Sequence, residues 1–304
     1  MADGEAPLPA RGSTHMVGII GWPVHGSLSP VIHNAAFAAL GMDWAYVPLP
    51  VASGDLETAL AGLPALGFAG ANVTMPHKTD TARLVRDLSE DAERLRAVNT
   101  LVVGAAGLAG HNTDAPGFDR FLRRDAGFDP QGRSALIFGA GGAARACALA
   151  LTRGGLGALT VAVRDPARAE TLRASTEGLR SEVRTVSFEE APSIDADLVV
   201  NATPLGAAGE TLPHPTLHPG VLVVDLLYPT LTPLQAAAKA VGASAFGGLG
   251  LLLHQAAMSF ELWTGLEPPL SVMSAAALAE LAEDKPMWVY SPPPDSQGPP
   301  HPPR

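Results

Sequence analysis

The sequence predicts an α/β fold containing a doubly wound dinucleotide-binding unit, and three observations carry that prediction. Short β-branched strands alternate with helical stretches along most of the chain. One strand, Ser134 to Phe138, runs through Gly139-Ala140-Gly141-Gly142-Ala143-Ala144-Arg145 into the apolar helix Ala146 to Leu151. The length, 304 residues, is enough for two domains with cores of their own.

The elements follow in order. A short apolar strand, Met16 to Ile20, leads into Gly21-Trp22-Pro23-Val24-His25-Gly26-Ser27-Leu28-Ser29-Pro30 and the helix Pro30 to Leu40. Ser29 before Pro30 has the chemistry of an N-cap. Ser27 has no such duty, and two hydroxyls at a strand end suit a polyhydroxylated ligand. The next strand, Gly67 to Val73, includes Asn72 and passes through Thr74-Met75-Pro76-His77 to Lys78. Pro76 predicts a helix start there, so Lys78 lies where free N–H groups and the positive end of the helix dipole converge. A cation is destabilised at that place. With a carboxylate nearby, Lys78 is a candidate general acid/base, although a lone first-turn lysine is more commonly just solvated.

Its company separates Lys78 from that commoner role. Ala97-Val98-Asn99-Thr100 and Gly110-His111-Asn112-Thr113-Asp114 sit at strand edges, with Leu101 to Val103 between them and Gly104 to Gly107 as a turn. Asp114 also reads as the residue opening the helix that Pro116 starts. Ser27, Ser29, Asn72, Thr74, Lys78, Asn99 and Asp114 all fall at strand ends or helix starts. Open α/β sheets bind ligands beyond the carboxyl ends of their strands, so the cluster is what a small polar-substrate site would look like.

The glycine turn after Phe138 is the Gly-x-Gly-x-x-Ala form of the dinucleotide fingerprint in its required strand–turn–helix setting. Gly139, Ala140, Gly141, Gly142 and Ala143 would bring the backbone close to a pyrophosphate at the helix N-terminus. The following strand, Leu159 to Val163, ends in Arg164-Asp165-Pro166-Ala167-Arg168. Arginines accommodate the 2′-phosphate of NADP, and an acidic residue favours the free ribose of NAD. Both kinds stand here, and a helix-capping role for Asp165 would remove the conflict. Further strands are expected at Asp197 to Asn201 and Val221 to Asp225. A helix from Leu251 to Thr264 carries Gln255 among Leu252, Ala256, Ser259 and Trp263, so Gln255 either faces solvent or meets a polar partner.

Composition narrows the functional class. A net charge of −10 with no basic run argues against nucleic acid as a partner. No apolar run reaches membrane-spanning length and residues 1–15 lack an apolar core, so no membrane segment or signal peptide is expected and the expected location is cytoplasmic. Cys147 is the only cysteine, which excludes an intrachain disulfide, and it sits on an apolar helix as a small hydrophobe. No metal-ligand spacing occurs, and no metal is expected. Residues 1–15 and the proline-dominated 285–304 read as disordered tails.

The chain resembles the shikimate dehydrogenase family from about Met16 to Leu281. The resemblance rests on Ser27-Leu28-Ser29-Pro30, Asn72-Val73-Thr74-Met75-Pro76-His77-Lys78, Ala97-Val98-Asn99-Thr100, Asn112-Thr113-Asp114, the glycine turn, and the helix carrying Gln255, Phe260 and Trp263 up to Gly265. It implies NADPH-dependent, reversible reduction of 3-dehydroshikimate to shikimate in aromatic amino-acid biosynthesis, with Lys78 and Asp114 as the catalytic pair. It further implies that Ser27, Ser29, Asn72, Thr74, Asn99, Tyr228 and Gln255 contact the substrate. Gly139 to Ala143, Arg164, Arg168, Thr203 and Gly248 would contact NADP, with NAD as the weaker alternative. The partner is a small molecule, and the protein is expected to be a monomer or homodimer.

The implied architecture is two α/β domains. A substrate-binding domain comprises 16–115 plus 248–284, and a Rossmann-type doubly wound dinucleotide-binding domain, 116–247, is inserted into it. The sequence departs from the family at Gly26, where histidine is usual, at Arg164-Asp165, where Asn-Arg-Thr usually ends the strand, at Leu251, where methionine is common, and in a Tyr228 to Pro233 loop shorter by one residue. An NAD-dependent quinate/shikimate dehydrogenase and a non-catalytic nucleotide-binding regulator are the rival readings.

Overall fold

The computed structural model describes residues 11–165, 167–179 and 181–283. Its strands form two six-stranded sheets. The first comprises β1 (His15–Gly21), β2 (Trp44–Pro50), β3 (Phe68–Val73), β4 (Asp87–Leu88), β5 (Thr100–Gly104) and β6 (Gly107–His111), in the order β2-β1-β3-β5-β6-β4. β1 runs parallel to β2 and β3, whereas β5 is antiparallel to β3 and β6. Between these strands lie α1 (Ser29–Ala39), α2 (Leu56–Ala65), α3 (Lys78–Leu84) and α4 (Glu90–Leu95), and α5 (Asp114–Arg124) follows them.

The second sheet is parallel throughout. It comprises β7 (Ser134–Phe138), β8 (Ala158–Ala162), β9 (Glu182–Val186), β10 (Leu198–Asn201), β11 (Leu222–Asp225) and β12 (Ser244–Gly247), in the order β12-β11-β10-β7-β8-β9. This is the doubly wound dinucleotide-binding order, and its direction reverses between β7 and β10. Its helices are α6 (Gly142–Arg153), α7 (Ala167–Thr176) and α8 (Pro233–Ala240). Val199, Val200, Val223 and Val224 are 0 % exposed, as strands covered on both faces require.

The chain then returns to the first sheet with α9 (Leu249–Thr264) and α10 (Leu270–Ala282). Ala256, Ala257, Phe260, Met273 and Ala277 form one core with Val17, Ile19, Ile32, Phe37 and Tyr46. On another face, Ile20, Leu56, Leu60, Phe68, Val73 and Leu101 pack together. α5 bridges the two halves: Ala115, Phe118, Phe121 and Leu122 share a core with Cys147, Leu151, Ile137 and Val161. Polar links join the same halves. Arg153 pairs with Asp91 and, at 2.8 Å, with Glu90, and Arg94 donates to the Glu177 carbonyl at 2.9 Å.

Several expectations need correction. Residues 11–14 are not a loose tail, because Ser13 and Thr14 both donate to the Asp43 carboxylate at 2.6 Å and lead directly into β1. The tail expectations for residues 1–10 and 285–304 lie outside the described residues. Pro76 does not open α3; the helix starts at Lys78, with His77 before it held by its ring Nε2 against the Val51 carbonyl at 2.7 Å. The expected junction at residues 115/116 falls inside α5, which begins at Asp114 and packs on both α6 and α9. Among the described residues no helix is long and apolar enough to cross a membrane, and no group of three or more His, Cys, Asp or Glu could hold a metal ion.

Candidate active site

The site is assembled at the carboxyl ends of β1, β3 and β6. Beyond β1 and β3 the backbone stays paired, with Thr74 N–H donating to the Ile20 carbonyl at 2.8 Å and Trp22 N–H to the Met75 carbonyl at 3.0 Å. Gly21 permits this approach, since a Cβ there would run into Thr74 and the Met75 carbonyl. The loop carrying Ser27 and the loop carrying Thr74 are thereby fixed side by side. Thr74 is half-buried, and its hydroxyl has no partner among the described residues.

Lys78 and Asp114 are each the first residue of their helix, α3 and α5. The ammonium donates to Asp114 Oδ2 at 2.6 Å, with the two side chains 30 % and 13 % exposed. One carboxylate oxygen is thus engaged by lysine. The other, Oδ1, accepts from Asn99 Nδ2 at 2.8 Å, and the Asp114 backbone N–H donates to Asn112 Oδ1 at 3.0 Å. The backbone keeps the pair in reach, because Val98 N–H donates to the Lys78 carbonyl and Asn99 N–H to the His111 carbonyl. An ammonium has three donors, so Lys78 retains N–H capacity for a ligand on its exposed side.

Asn99 is 2 % exposed and its orientation is determined. Thr113 N–H donates to its Oδ1 at 2.8 Å, so the NH₂ end must face Asp114. The same NH₂ lies 3.4 Å from Gln255 Oε1, and Gln255 Nε2 donates to the Leu252 carbonyl at 2.8 Å. Gln255 therefore faces the Asn99 cluster and not bulk solvent. Gly117 makes this possible, since a Cβ on it would lie 2.8 Å from Gln255 N.

Two sequence expectations change here. Ser27 does carry a local duty: its Oγ accepts the Ser29 N–H at 3.2 Å, while Ser29 is already inside α1 and caps nothing. Asn72 lies in the cluster. It is 5 % exposed, its Oδ1 accepts from the Tyr46 hydroxyl at 2.8 Å, and its NH₂ faces the Asn99 carbonyl, Thr100 Oγ1 and Ser259 Oγ at 3.0–3.1 Å. Its amide is engaged by the protein, and it supports Asn99 from behind. Thr100, Thr113 and Ser259 complete this buried group and were legible only weakly, Ser259 as a hydroxyl one helical turn beyond Gln255 on an otherwise apolar face.

The second sheet carries a separate group of residues at the glycine turn after β7. Gly139 has φ +101°, a left-handed conformation that favours glycine, and a Cβ there would sit 3.0 Å from Thr203 Cγ2. Ala140 packs against the core, and Ala143 is exposed. Gly141 precedes α6 without a side-chain cap, and Cβ atoms built on Gly141 or Gly142 meet nothing within 4 Å. A helix start without a side-chain cap, reached by glycines with open space at their Cβ positions, fits a pyrophosphate. Thr203 hydroxyl is turned inward, donating to Asn201 Oδ1 at 2.7 Å, and Gly248 lies against the Leu226 backbone, where no side chain would fit.

Beyond β8, Asp165 Oδ1 accepts the Ala167 N–H at 3.0 Å, so it caps α7. Arg164 and Arg168 are exposed and have no partner among the described residues, leaving two guanidiniums free for a phosphate. Tyr228 is 38 % exposed on the loop after β11. Cys147 is buried at 0 % exposure, and burial pushes its thiol up, which rules out a nucleophilic role.

Comparison with known proteins agrees with this layout. Residues 19–101 match the family model for the shikimate dehydrogenase substrate binding domain, and residues 248–278 match the shikimate 5′-dehydrogenase C-terminal domain. Residues 133–229 match the model described as NADP oxidoreductase coenzyme F420-dependent. Shikimate dehydrogenase (NADP(+)) from Citrifermentans bemidjiense is 43 % identical over 287 residues, covering 90 % of this chain and 98 % of the relative. The crystal structure of shikimate 5-dehydrogenase from Thermus thermophilus in complex with NADP(H) and shikimate superposes with a TM-score of 0.78 at 36 % identity, covering 88 % of this chain and 99 % of that one. Quinate dehydrogenase from Corynebacterium glutamicum in complex with NAD gives 0.79 at 35 % identity, again covering 88 % and 99 %. With a lysine–aspartate pair beyond one sheet, a dinucleotide turn beyond the other and full-length relatives at this identity, the chain belongs to the shikimate dehydrogenase family of oxidoreductases.

Proposed function

We propose that the protein catalyses the reversible, NADP-linked interconversion of shikimate and 3-dehydroshikimate, the step implied for aromatic amino-acid biosynthesis. The observation that carries this reading is the 2.6 Å contact between Lys78 Nζ and Asp114 Oδ2, with Asn99 on the other carboxylate oxygen. When bound, the nicotinamide cofactor supplies or accepts the hydride. The chain's own part is to bind, orient and move a proton.

During reduction, negative charge develops on the carbonyl oxygen. The Lys78 ammonium stabilises it and passes a proton to that oxygen, and in the reverse direction the lysine takes the hydroxyl proton back. Asp114 holds the ammonium in place and offsets its charge. Ser27, Ser29, Thr74, Asn99 and Gln255 bind the ring substituents, with Tyr228 bordering them from the second sheet. Gly139 to Ala143 would seat the pyrophosphate, Arg164 and Arg168 the 2′-phosphate, and Thr203 and Gly248 the nicotinamide end. In this reading the substrate-binding domain is 16–115 with 248–284, the cofactor-binding domain is 116–247, and the halves close on each other over the reactants.

The test is the initial rate of shikimate oxidation with NADP⁺ and NAD⁺ in parallel, and with quinate as alternative substrate. Turnover of shikimate with NADP⁺ is expected, and Lys78→Ala should reduce kcat about 10²- to 10⁴-fold, the usual worth of a positioned acid/base. A Lys78→Ala enzyme with nearly full turnover would remove the assigned mechanism. Asp165 caps α7 but keeps its negative charge beside Arg164 and Arg168, which leaves a second reading, dual use of NAD, and comparable rates with the two cofactors would establish it.

A further inference from the structure

The hydrogen bonds behind the catalytic pair have one direction, which can be worked out donor by donor. Asn72 NH₂ faces the Asn99 carbonyl at 3.0 Å, and a carbonyl only accepts. Asn72 Oδ1 is therefore turned to Tyr46, so the Tyr46 hydroxyl is the donor of that 2.8 Å bond. Asn72 NH₂ also donates to Thr100 Oγ1 at 3.1 Å. Thr100 Oγ1 lies 3.0 Å from Asn99 Oδ1, which only accepts, so Thr100 is the donor of that bond, while Ser259 Oγ, 2.8 Å from the same hydroxyl, is able to donate to it in turn. Asn99 NH₂ in turn donates to Asp114 Oδ1 at 2.8 Å. Every donor in the series Tyr46, Asn72, Thr100, Asn99 points toward the Asp114 carboxylate.

The surroundings hold these partners in place. Tyr46, Asn72, Asn99 and Thr100 are between 0 % and 5 % exposed, so no water competes for these groups. Tyr46 is pressed face to face on His33, with ring centroids 4.6 Å apart and planes within 2°. Asn72 and Thr100 are register partners of the antiparallel β3–β5 pair, which fixes their separation. Ser259 on α9 approaches Thr100 Oγ1 at 2.8 Å and Asn72 Nδ2 at 3.0 Å, closing the group from the far side.

We propose that Thr100 is a positioning residue for the catalytic pair: its hydroxyl, oriented by Tyr46 through Asn72, holds the Asn99 carboxamide with its NH₂ toward Asp114. Thr100 touches neither Lys78 nor Asp114 and acts through Asn99. In its absence the Asn99 Oδ1 keeps Thr113 as its donor, and Asn72 NH₂ gives up one of its three acceptors in a dry interior. This inference rests on the proposed reaction, since it assigns a support to that reaction's proton-transfer pair.

The experiment uses Thr100→Val, Thr100→Ser and Tyr46→Phe in the full chain. Valine keeps the shape and removes the hydroxyl; serine keeps the hydroxyl and removes a methyl. Thr100→Val should lower kcat/KM for shikimate about tenfold while KM for NADP⁺ stays unchanged, and Tyr46→Phe should lower it about threefold in the same way, the scale expected of one lost buried hydrogen bond. Thr100→Ser should restore most of the wild-type value. A purely packing role predicts the opposite order, with valine active and serine impaired, and that order, or valine at wild-type activity, would overturn the proposal. Absence of shikimate turnover in the wild-type protein would instead sink the proposed function. Thermal melting of all three variants identifies any that fail to fold, and for these Thr100→Cys, which keeps a side chain of similar size with a much weaker donor, replaces valine in the same comparison.

Discussion

Two interior helix glycines should respond in opposite directions to the same substitution. Gly62 in α2 and Gly117 in α5 both occupy ordinary helical positions, and replacing glycine by alanine in a helix gains about 1 kcal/mol in propensity. At Gly62 the added Cβ meets only Leu66 Cδ1 at 3.9 Å, an ordinary contact, so most of that gain should be realised. At Gly117 it meets Gln255 N at 2.8 Å, Cα at 2.9 Å and Cβ at 3.0 Å. The backbone atoms cannot rotate away. Relief requires α5 and α9 to separate by about half an ångström, and overpacking of this kind costs about 1–3 kcal/mol. The clash therefore cancels or exceeds the propensity gain. Because Asp114 opens α5 and Gln255 lies on α9, the displacement also acts on the site. Differential scanning calorimetry should show Gly62→Ala melting at or above the wild-type temperature and Gly117→Ala below it, with shikimate KM raised only in the second. A Gly117→Ala protein with wild-type KM and an unchanged or higher melting point would refute the reasoning.

Two more predictions concern charge. Burial lowers the His33 pKa from 6.5 to about 3, so between these values the unfolded chain binds a proton that the folded chain does not. This component of stability is present above pH 6.5 and declines as pH falls, by about 1.4 kcal/mol per pH unit while the difference persists. His33→Phe should flatten that part of the urea-denaturation profile between pH 6 and pH 4; a slope identical to wild type would exclude His33 as its source. Asp165→Ser keeps an oxygen to cap α7 but removes a negative charge beside the proposed 2′-phosphate seat. Titration calorimetry should show NADP⁺ bound about fivefold more tightly with NAD⁺ little changed, the scale of one exposed like-charge contact, and equal shifts for both cofactors would place Asp165 away from the phosphate.

The second sheet was the more legible half. The dinucleotide turn requires glycine chemistry that no side chain can imitate, and Gly139 adopts the positive φ that its place in the motif predicts. Strands buried on both faces, such as β10 and β11, also read as unbroken apolar runs. β2 was hard to see because Pro48 and Pro50 interrupt it, and they are tolerated because β2 lies at the sheet edge. β9, with a mostly alternating Glu-Val-Arg-Thr-Val pattern, is likewise an edge strand, half solvated. At the site, the pairing of Lys78 with Asp114 came from the family resemblance, because residue type alone left Lys78 a solvated first-turn lysine and Asp114 a helix opener. The standing of Asn72 was not legible. Whether an asparagine faces a ligand or a hydroxyl from another strand depends on register, and Tyr46 and Ser259 are 26 and 187 residues distant. For the same reason the Ser27–Ser29 contact escaped, because the helix begins one residue earlier than Pro30 suggests.

The return of α9 and α10 to the first sheet has a consequence for synthesis. Val17, Ile32, Phe37 and Tyr46 emerge from the ribosome early, yet the side chains that cover them, Ala256, Phe260, Met273 and Ala277, are among the last described residues to be made. The parallel sheet between them is contiguous in sequence and can fold as soon as its own strands are out. The N-terminal segment must therefore wait, partly uncovered, while a whole second unit is translated and folds. Closing this core brings together segments more than 200 residues apart, whereas the parallel sheet between them needs only contacts within its own stretch.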